Sequence, residues 1–210
     1  MDNKSLDISP EYEVFLTPLL EACMLRGHFE LSSGMHSSAY FQTAPLLSSV
    51  PLRAKLASAL LHTITQQVVL RGSQVVVAMA HGATLLGCEL SRMLDSRILY
   101  MESCDGQMKL RRGQALQASS RVIMLENVVT TGGSLITASQ ELVQRFGCTI
   151  TCIASLIDRR AGLASPWDEH DLISLVKARI PVFDPQKQCP LCTEGAPLIS
   201  NSGTKDLSLA

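Results

Sequence analysis

Residues 121–140 read RVIMLENVVTTGGSLITASQ, and the character of the chain changes three times along them. After Arg121 come Val122, Ile123, Met124 and Leu125, an unbroken apolar run of the kind found in a parallel strand buried on both faces. An acid and an amide follow, Glu126 and Asn127, then Val128, Val129 and the small polar run Thr130-Thr131-Gly132-Gly133-Ser134. From Leu135 the spacing turns helical, with Leu135, Ile136, Leu142 and Val143 on one face. Strand, small polar loop and helix N-terminus together make a place to hold a phosphate. Backbone N–H groups at the helix start point outward, and the helix dipole favours an anion. Two glycines let the backbone curl round the phosphate, and three hydroxyls add donors. The stretch lacks the lysine of a P-loop and the three-glycine spacing of a dinucleotide fingerprint. Its ligand has to be read from the rest of the chain.

Working outward, strand and helix patterns alternate. Phe15 to Arg26 carries Phe15, Leu16, Leu19, Leu20 and Met24 at helical spacing, with Gly27 as its end. Residues 28–42, HFELSSGMHSSAYFQ, read as a hairpin-like extension around a Ser-Ser-Gly turn. Pro51 suits a first helical position, and Leu52, Leu56, Leu60, Ile64 and Val68 keep one face after it. Strands are expected at 75–79, 97–101, 122–125, 149–157 and 171–176, and a second strand-to-helix loop at 80–84. Residues 102–113, ESCDGQMKLRRG, show no clear period and are expected to form a long loop carrying Lys109, Arg111 and Arg112. The tail from Pro181 reads as irregular. The alternation predicts an α/β fold, a doubly wound and mostly parallel sheet of about five strands. Ligands bind such sheets beyond the carboxyl ends of the strands, where loops 80–84, 126–134 and 158–160 all fall. One domain over 1–210 is expected, with 1–50 and 178–210 contributing a hood and tail.

Bulk properties exclude several classes. A formal net charge of −1 without blocks of like charge gives no footprint for nucleic acid or an anionic membrane surface. No apolar run approaches the ~20 residues of a membrane span. The opening MDNKSLDISPEYE is polar and acidic, unlike a signal peptide. Seven cysteines, an odd number and scattered, suit reduced thiols better than a disulfide framework. A soluble cytoplasmic protein is expected.

The acid-amide pair four residues before Thr130-Thr131-Gly132-Gly133-Ser134 resembles the phosphoribosyl pyrophosphate (PRPP) signature of the type I phosphoribosyltransferases. LENVVTTGGS, GHFELSSGMHSSAYFQ, MKLRRG, SLIDR and VFDPQKQCPLC, in that order, make the chain similar to the orotate phosphoribosyltransferase family over nearly its whole length. The resemblance implies transfer of 5-phosphoribosyl from PRPP to N1 of orotate, giving orotidine 5′-phosphate and pyrophosphate, with Mg²⁺ held mainly by PRPP rather than by assigned protein ligands. It implies that Val128, Val129 and Thr130 to Ser134 bind PRPP, with the 5′-phosphate on the hydroxyl-glycine loop and Glu126 and Asn127 at the ribose hydroxyls. Thr130 and Arg159 would contact orotate, with Tyr40 and Phe41 beside its flat ring. Lys109, Arg111 and Arg112 would lie in a catalytic loop that closes over the pyrophosphate of a neighbouring subunit, which implies a homodimer.

Four positions depart from that pattern. Asn127 stands where the family has a second acid, and Ser103 where an arginine follows the strand. Ser32 replaces a lysine of some members, and 80–84 reads Ala-His-Gly-Ala-Thr rather than Gly-Gly. These departures motivate an alternative, a PRPP- or nucleotide-binding homologue with weak or lost transferase activity. A base other than orotate is a further possibility, but a purine has no carboxylate for Arg159. His81 and His36 are read as surface histidines with some chance of facing the pyrophosphate. Cys189-Pro-Leu-Cys192 is a single CxxC. Zinc there needs two further ligands from elsewhere in the chain, so a packed or solvent-facing turn is expected.

Overall fold

The computed structural model describes residues 6–31, 33–160 and 172–200. Ser32, with residues 1–5, 161–171 and 201–210, lies outside them. Strand β1 (Leu6–Ile8) and helix α1 (Pro10–Cys23) lead into β2 (Met24–Glu30) and β3 (His36–Phe41). Helices α2 (Ala44–Ser48) and α3 (Val50–Gln67) precede β4 (Gln74–Met79), α4 (Thr84–Met93), β5 (Arg97–Cys104) and β6 (Gln107–Leu110). Then come β7 (Arg121–Val129), α5 (Gly133–Phe146), β8 (Thr149–Asp158), β9 (Leu172–Ala178), β10 (Val182–Phe183), α6 (Pro190–Thr193) and β11 (Leu198–Ser200).

The main sheet runs β1-β9-β8-β7-β4-β5-β6. Its five central strands are parallel, and they are the ones the apolar runs predict. The two edge strands, β1 and β6, are antiparallel and short. They escape a reading based on apolar runs because an edge strand is half solvated. Side chains of β7 alternate between two cores: Ile123 and Leu125 join the one containing Leu60, Ile64 and Leu90, while Val122 and Met124 join the one containing Leu135, Ala138 and Leu142. Leu60 and Ile64 are fully buried, and truncating either to alanine is worth about 2–5 kcal/mol.

Three expectations are corrected. The stretch 102–113 begins as a hairpin, not a long loop. Glu102, Ser103 and Cys104 pair with Lys109, Met108 and Gln107 across Asp105-Gly106. Both turn residues have positive φ, 52° and 74°, the conformation that an Asp-Gly pair favours in a two-residue hairpin turn. The first helix ends at Cys23 rather than running to Gly27, because Met24, Leu25 and Arg26 pair with Phe41, Tyr40 and Ala39. The tail is also not irregular over its described residues, up to Ser200. Strand β10 pairs with β3, β11 pairs in parallel with β2, and a second sheet of order β10-β3-β2-β11 results. Tertiary pairing organises a segment whose own sequence carries no period. No helix among the described residues is long and apolar enough to cross a membrane.

Candidate active site

The carboxyl ends of β4 and β7 and the β5–β6 hairpin enclose a cleft of about 450 Å³. Met79 and Ala80 come from the end of β4, Ser103, Gly106 and Met108 from the hairpin, and Glu126 with Val128 to Leu135 from β7 through the start of α5, with Ser33 and Thr137 completing the lining. Gly132 takes a left-handed conformation, φ 83° and ψ 2°, which lets the chain turn from strand to helix in three residues. As the N-cap of α5 it has no side chain to cap with, and the one side-chain contact at that end is a long one, the Gly133 N–H donating to Thr131 Oγ1 at 3.5 Å. The first intrahelical bond is donated by the Ile136 N–H, to the Gly132 carbonyl. The Ser134 and Leu135 N–H groups before it are therefore available to a ligand, at the positive end of the helix dipole.

Glu126 is the one acidic side chain lining the cleft among the described residues. Burial raises its carboxyl to about 7, while the Asn127 N–H donating to Oε1 at 2.8 Å lowers it in part. Asn127 does not line the cleft. On a strand successive side chains face opposite ways, so Glu126 continues the side of Met124 and Asn127 the side of Leu125. The Asn127 amide donates to Thr43 Oγ1 at 2.7 Å. It presses so closely on Gly82 that a Cβ there would sit 2.6 Å from the amide oxygen and nitrogen. The expectation that Asn127 shares the ribose with Glu126 is not how the side chain packs.

Arg159 follows the last residue of β8, and its N–H donates to the carbonyl of Val129, a cleft residue, at 2.8 Å. Its side chain is essentially inaccessible, 1% exposed. Nη2 donates to Ser37 Oγ at 2.7 Å and the guanidinium lies 5.5 Å from the centre of the Phe41 ring. Nε has no partner, and among the described residues no carboxylate pairs with it. Burial lowers its pKa to about 10. Its neighbour Arg160, by contrast, makes a two-pronged pair with Asp158 at 2.9 Å.

Tyr40 and Phe41 do not form one platform. Phe41 faces Arg159, while Tyr40 packs against Phe29 with ring centres 5.8 Å apart, again because neighbours on a strand diverge. Lys109, Arg111 and Arg112 lie on or just after the returning strand of the hairpin, outside the cleft lining. Arg112 holds Glu102 through two nitrogens at 3.0–3.1 Å, and that contact keeps the Glu102 carboxyl below its ordinary value. Arg111 is exposed and Lys109 half-buried.

Ser37, Thr43, Met108 and Thr137 belong to this site or its supports without having been singled out by the sequence. Only Met108, alternating with Gln107 and Lys109 beyond the Asp-Gly turn, carried a usable signal. His81 is exposed on its turn. His36 is buried, with its ring against His28. The CxxC is not a plain turn of the tail: Cys189 and Cys192 meet these two histidines, so that one nitrogen or sulfur from each of the four lies within 4.8 Å of all the others.

Compared with solved structures, the chain superposes on orotate phosphoribosyltransferase from Aeropyrum pernix with a TM-score of 0.56 at 25% identity, covering 77% of this chain and 93% of that one. UMP synthase from Leishmania donovani gives 0.60 at 18% identity, over 77% of this chain and 36% of that longer one. An adenine phosphoribosyltransferase from Trypanosoma brucei gives 0.58 at 13% identity, over 84% of this chain and 82% of that one. Fold and cleft define a type I phosphoribosyltransferase. Family models give no match. Among curated proteins, orotate phosphoribosyltransferase of Carboxydothermus hydrogenoformans is 36% identical over 201 residues, 92% of this chain and 97% of the relative. That of Thermotoga maritima is 37% identical over 177 residues, 83% and 89% of the two chains. The chain belongs to the orotate phosphoribosyltransferase family.

Proposed function

We propose that the protein transfers the 5-phosphoribosyl group of PRPP to N1 of orotate, releasing pyrophosphate and forming orotidine 5′-phosphate. The observation that carries the choice of base is Arg159, a buried cation without a carboxylate partner among the described residues, joined by its backbone to the cleft. A buried charge needs a counter-charge. The orotate carboxylate fits a planar guanidinium and adds about 1.5–3 kcal/mol through a charge-assisted bond.

In this reading the 5′-phosphate sits on the uncapped start of α5, against Thr130 to Ser134, and Glu126 takes the ribose hydroxyls. N1 of orotate gives up its proton to water or the departing pyrophosphate and attacks C1 of the ribose as the bond from C1 to the pyrophosphate oxygen breaks, the electron pair leaving with pyrophosphate. No covalent bond to the protein is needed. The chain contributes alignment and charge, with the Glu126 carboxylate facing a ribose that becomes oxocarbenium-like.

Mg²⁺ takes one or two carboxylates together with phosphates and water. The single cleft carboxylate of Glu126 suits an ion held mainly by PRPP. When bound, the ion supplies positive charge beside the departing pyrophosphate. Among the described residues no lysine or arginine lines the cleft. This supports a homodimer in which the hairpin of one subunit brings Lys109 and Arg111 to the cleft of its partner. Seven free cysteines suit a reducing, cytoplasmic setting.

Purified protein given PRPP, Mg²⁺ and orotate should deplete the orotate absorbance and release pyrophosphate in equal amounts. PRPP binding without turnover would refute the transferase reading and leave a binding homologue.

A further inference from the structure

Four side chains that the transfer reaction does not use converge in the hood. His28 stands on β2, His36 on β3, and Cys189 and Cys192 flank and close the short turn of α6. Nε2 of His28 lies 3.7 Å from the sulfur of each cysteine. Nδ1 of His36 lies 3.4 Å from Cys192 Sγ and 2.8 Å from His28 Nε2. A tetrahedral zinc ion, with Zn–S of about 2.3 Å and Zn–N of about 2.0–2.1 Å, spaces its ligand atoms about 3.3–3.8 Å apart. These three sulfur–nitrogen separations already fall in that range, the two nitrogens need to part by about 0.5 Å, and all four ligand atoms lie within 4.8 Å of one another.

We propose that His28, His36, Cys189 and Cys192 form a structural Zn²⁺ site that pins the C-terminal tail to the hood. The supporting contact is already made. His28 Nδ1 is 2.9 Å from the Ala196 carbonyl oxygen, which only accepts, so Nδ1 carries the proton and Nε2 turns its lone pair to the cluster. Two thiolates and two imidazoles select zinc over Mg²⁺ or Ca²⁺, which prefer oxygen. Four protein ligands leave no open position, as in structural sites. Three of the four residues are buried and Cys192 is exposed, which leaves an entry path. The two imidazoles also separate this cluster from a redox dithiol, which would present the cysteines without competing ligands.

The ion has a mechanical consequence that rests on the orotate reading. Ser37 follows His36 on β3, and its hydroxyl accepts from Arg159. Fixing His36 on one face of the strand fixes Ser37 on the other. The metal thereby positions the residue that holds the orotate-binding guanidinium.

Full-length protein, purified reduced and without chelator, should carry about one zinc per chain, the stoichiometry of a closed four-ligand site. Chelator-stripped protein should melt at a lower temperature and recover on adding one equivalent of Zn²⁺. Reconstitution with Co²⁺ should give tetrahedral d–d bands and a thiolate-to-cobalt charge-transfer band. Cys192→Ser, at an exposed position, should lose both bands and the response to chelator. Failure of reduced, stripped wild type to bind either Zn²⁺ or Co²⁺ stoichiometrically overturns the site. In assays with excess Mg²⁺, stripping should raise the KM for orotate and leave that for PRPP unchanged. Zinc binding with no change in the orotate KM keeps the site and overturns its link to Arg159.

Discussion

Replacing Glu126 by glutamine should make the ligand-free protein more stable at pH 8 while disabling it. The carboxyl rises from its ordinary 4.5 to about 7 because burial disfavours the charge. The folded state therefore holds the proton more tightly than the unfolded chain. This contribution to stability is complete below about 4.5 and declines as pH rises toward 7. Above 7 the charged carboxylate remains as a standing cost. At about 1.36 kcal/mol per pH unit the ceiling is about 3.4 kcal/mol. Glu126 keeps partial exposure at the cleft, and water there reduces the cost to about 1–2 kcal/mol. Glutamine cannot ionise, so Glu126→Gln should melt roughly 2–6 °C above wild type at pH 8, with the gap nearly closed at pH 5. The assay is thermal unfolding of both proteins without PRPP across that range. In parallel, kcat/KM for PRPP in wild type should rise through an apparent pKa near 7, a limb absent from the variant's low residual activity. A variant less stable than wild type at pH 8, or a gap independent of pH, would refute a strained carboxylate in the cleft.

Arg159→Met should raise the KM for orotate about 10–100-fold, the loss of one charge-assisted contact, with PRPP affinity unchanged by calorimetry; an equal loss for both substrates would undo its assignment to the base end. Asn127→Asp should bring no gain in turnover, because the amide faces Thr43 rather than the cleft; a rise above about tenfold would mean that this side chain reaches the ribose. Gly82→Ala should destabilise the fold by about 1–3 kcal/mol through overlap with the Asn127 amide, and Asn127→Ala should relieve part of it in a double-mutant cycle. Strict additivity would show that the two positions do not touch. Mixing the weakly active Glu126→Gln with the weakly active Lys109→Ala should raise activity above the sum of the two if the hairpin serves a partner's cleft; no rise, with mixed dimers demonstrated, would place the hairpin over its own.

How the chain could be read depended on how local each feature is. Helix α5, its glycine-rich entry and the five parallel strands were legible because continuous apolar runs and helical spacing are properties of short windows. The Asp105-Gly106 hairpin was missed although that pair is a strong turn signal, because the residues around it show no period. The orientations of Asn127, Tyr40 and Phe41 depended on which face each strand position presents, and a motif match does not carry that parity. Cys189 and Cys192 were visible as a pair, but their partners lie 161 and 164 residues away at His28. Nothing in either segment points to the other.

By itself, the sequence determined the run from Arg121 to Ser134 as strand, small polar loop and helix start, and with it the resemblance to the family. It did so because backbone N–H groups at a glycine-bearing helix entry act locally, whatever surrounds them. Tertiary structure alone decided that the carboxyl of Glu126 is buried far enough to resist ionisation, that Arg159 has no counter-charge among the described residues, and that the tail and the second sheet bring two thiols to two imidazoles. Each of these depends on desolvation or on contact between distant segments, quantities that exist only once the chain has closed on itself.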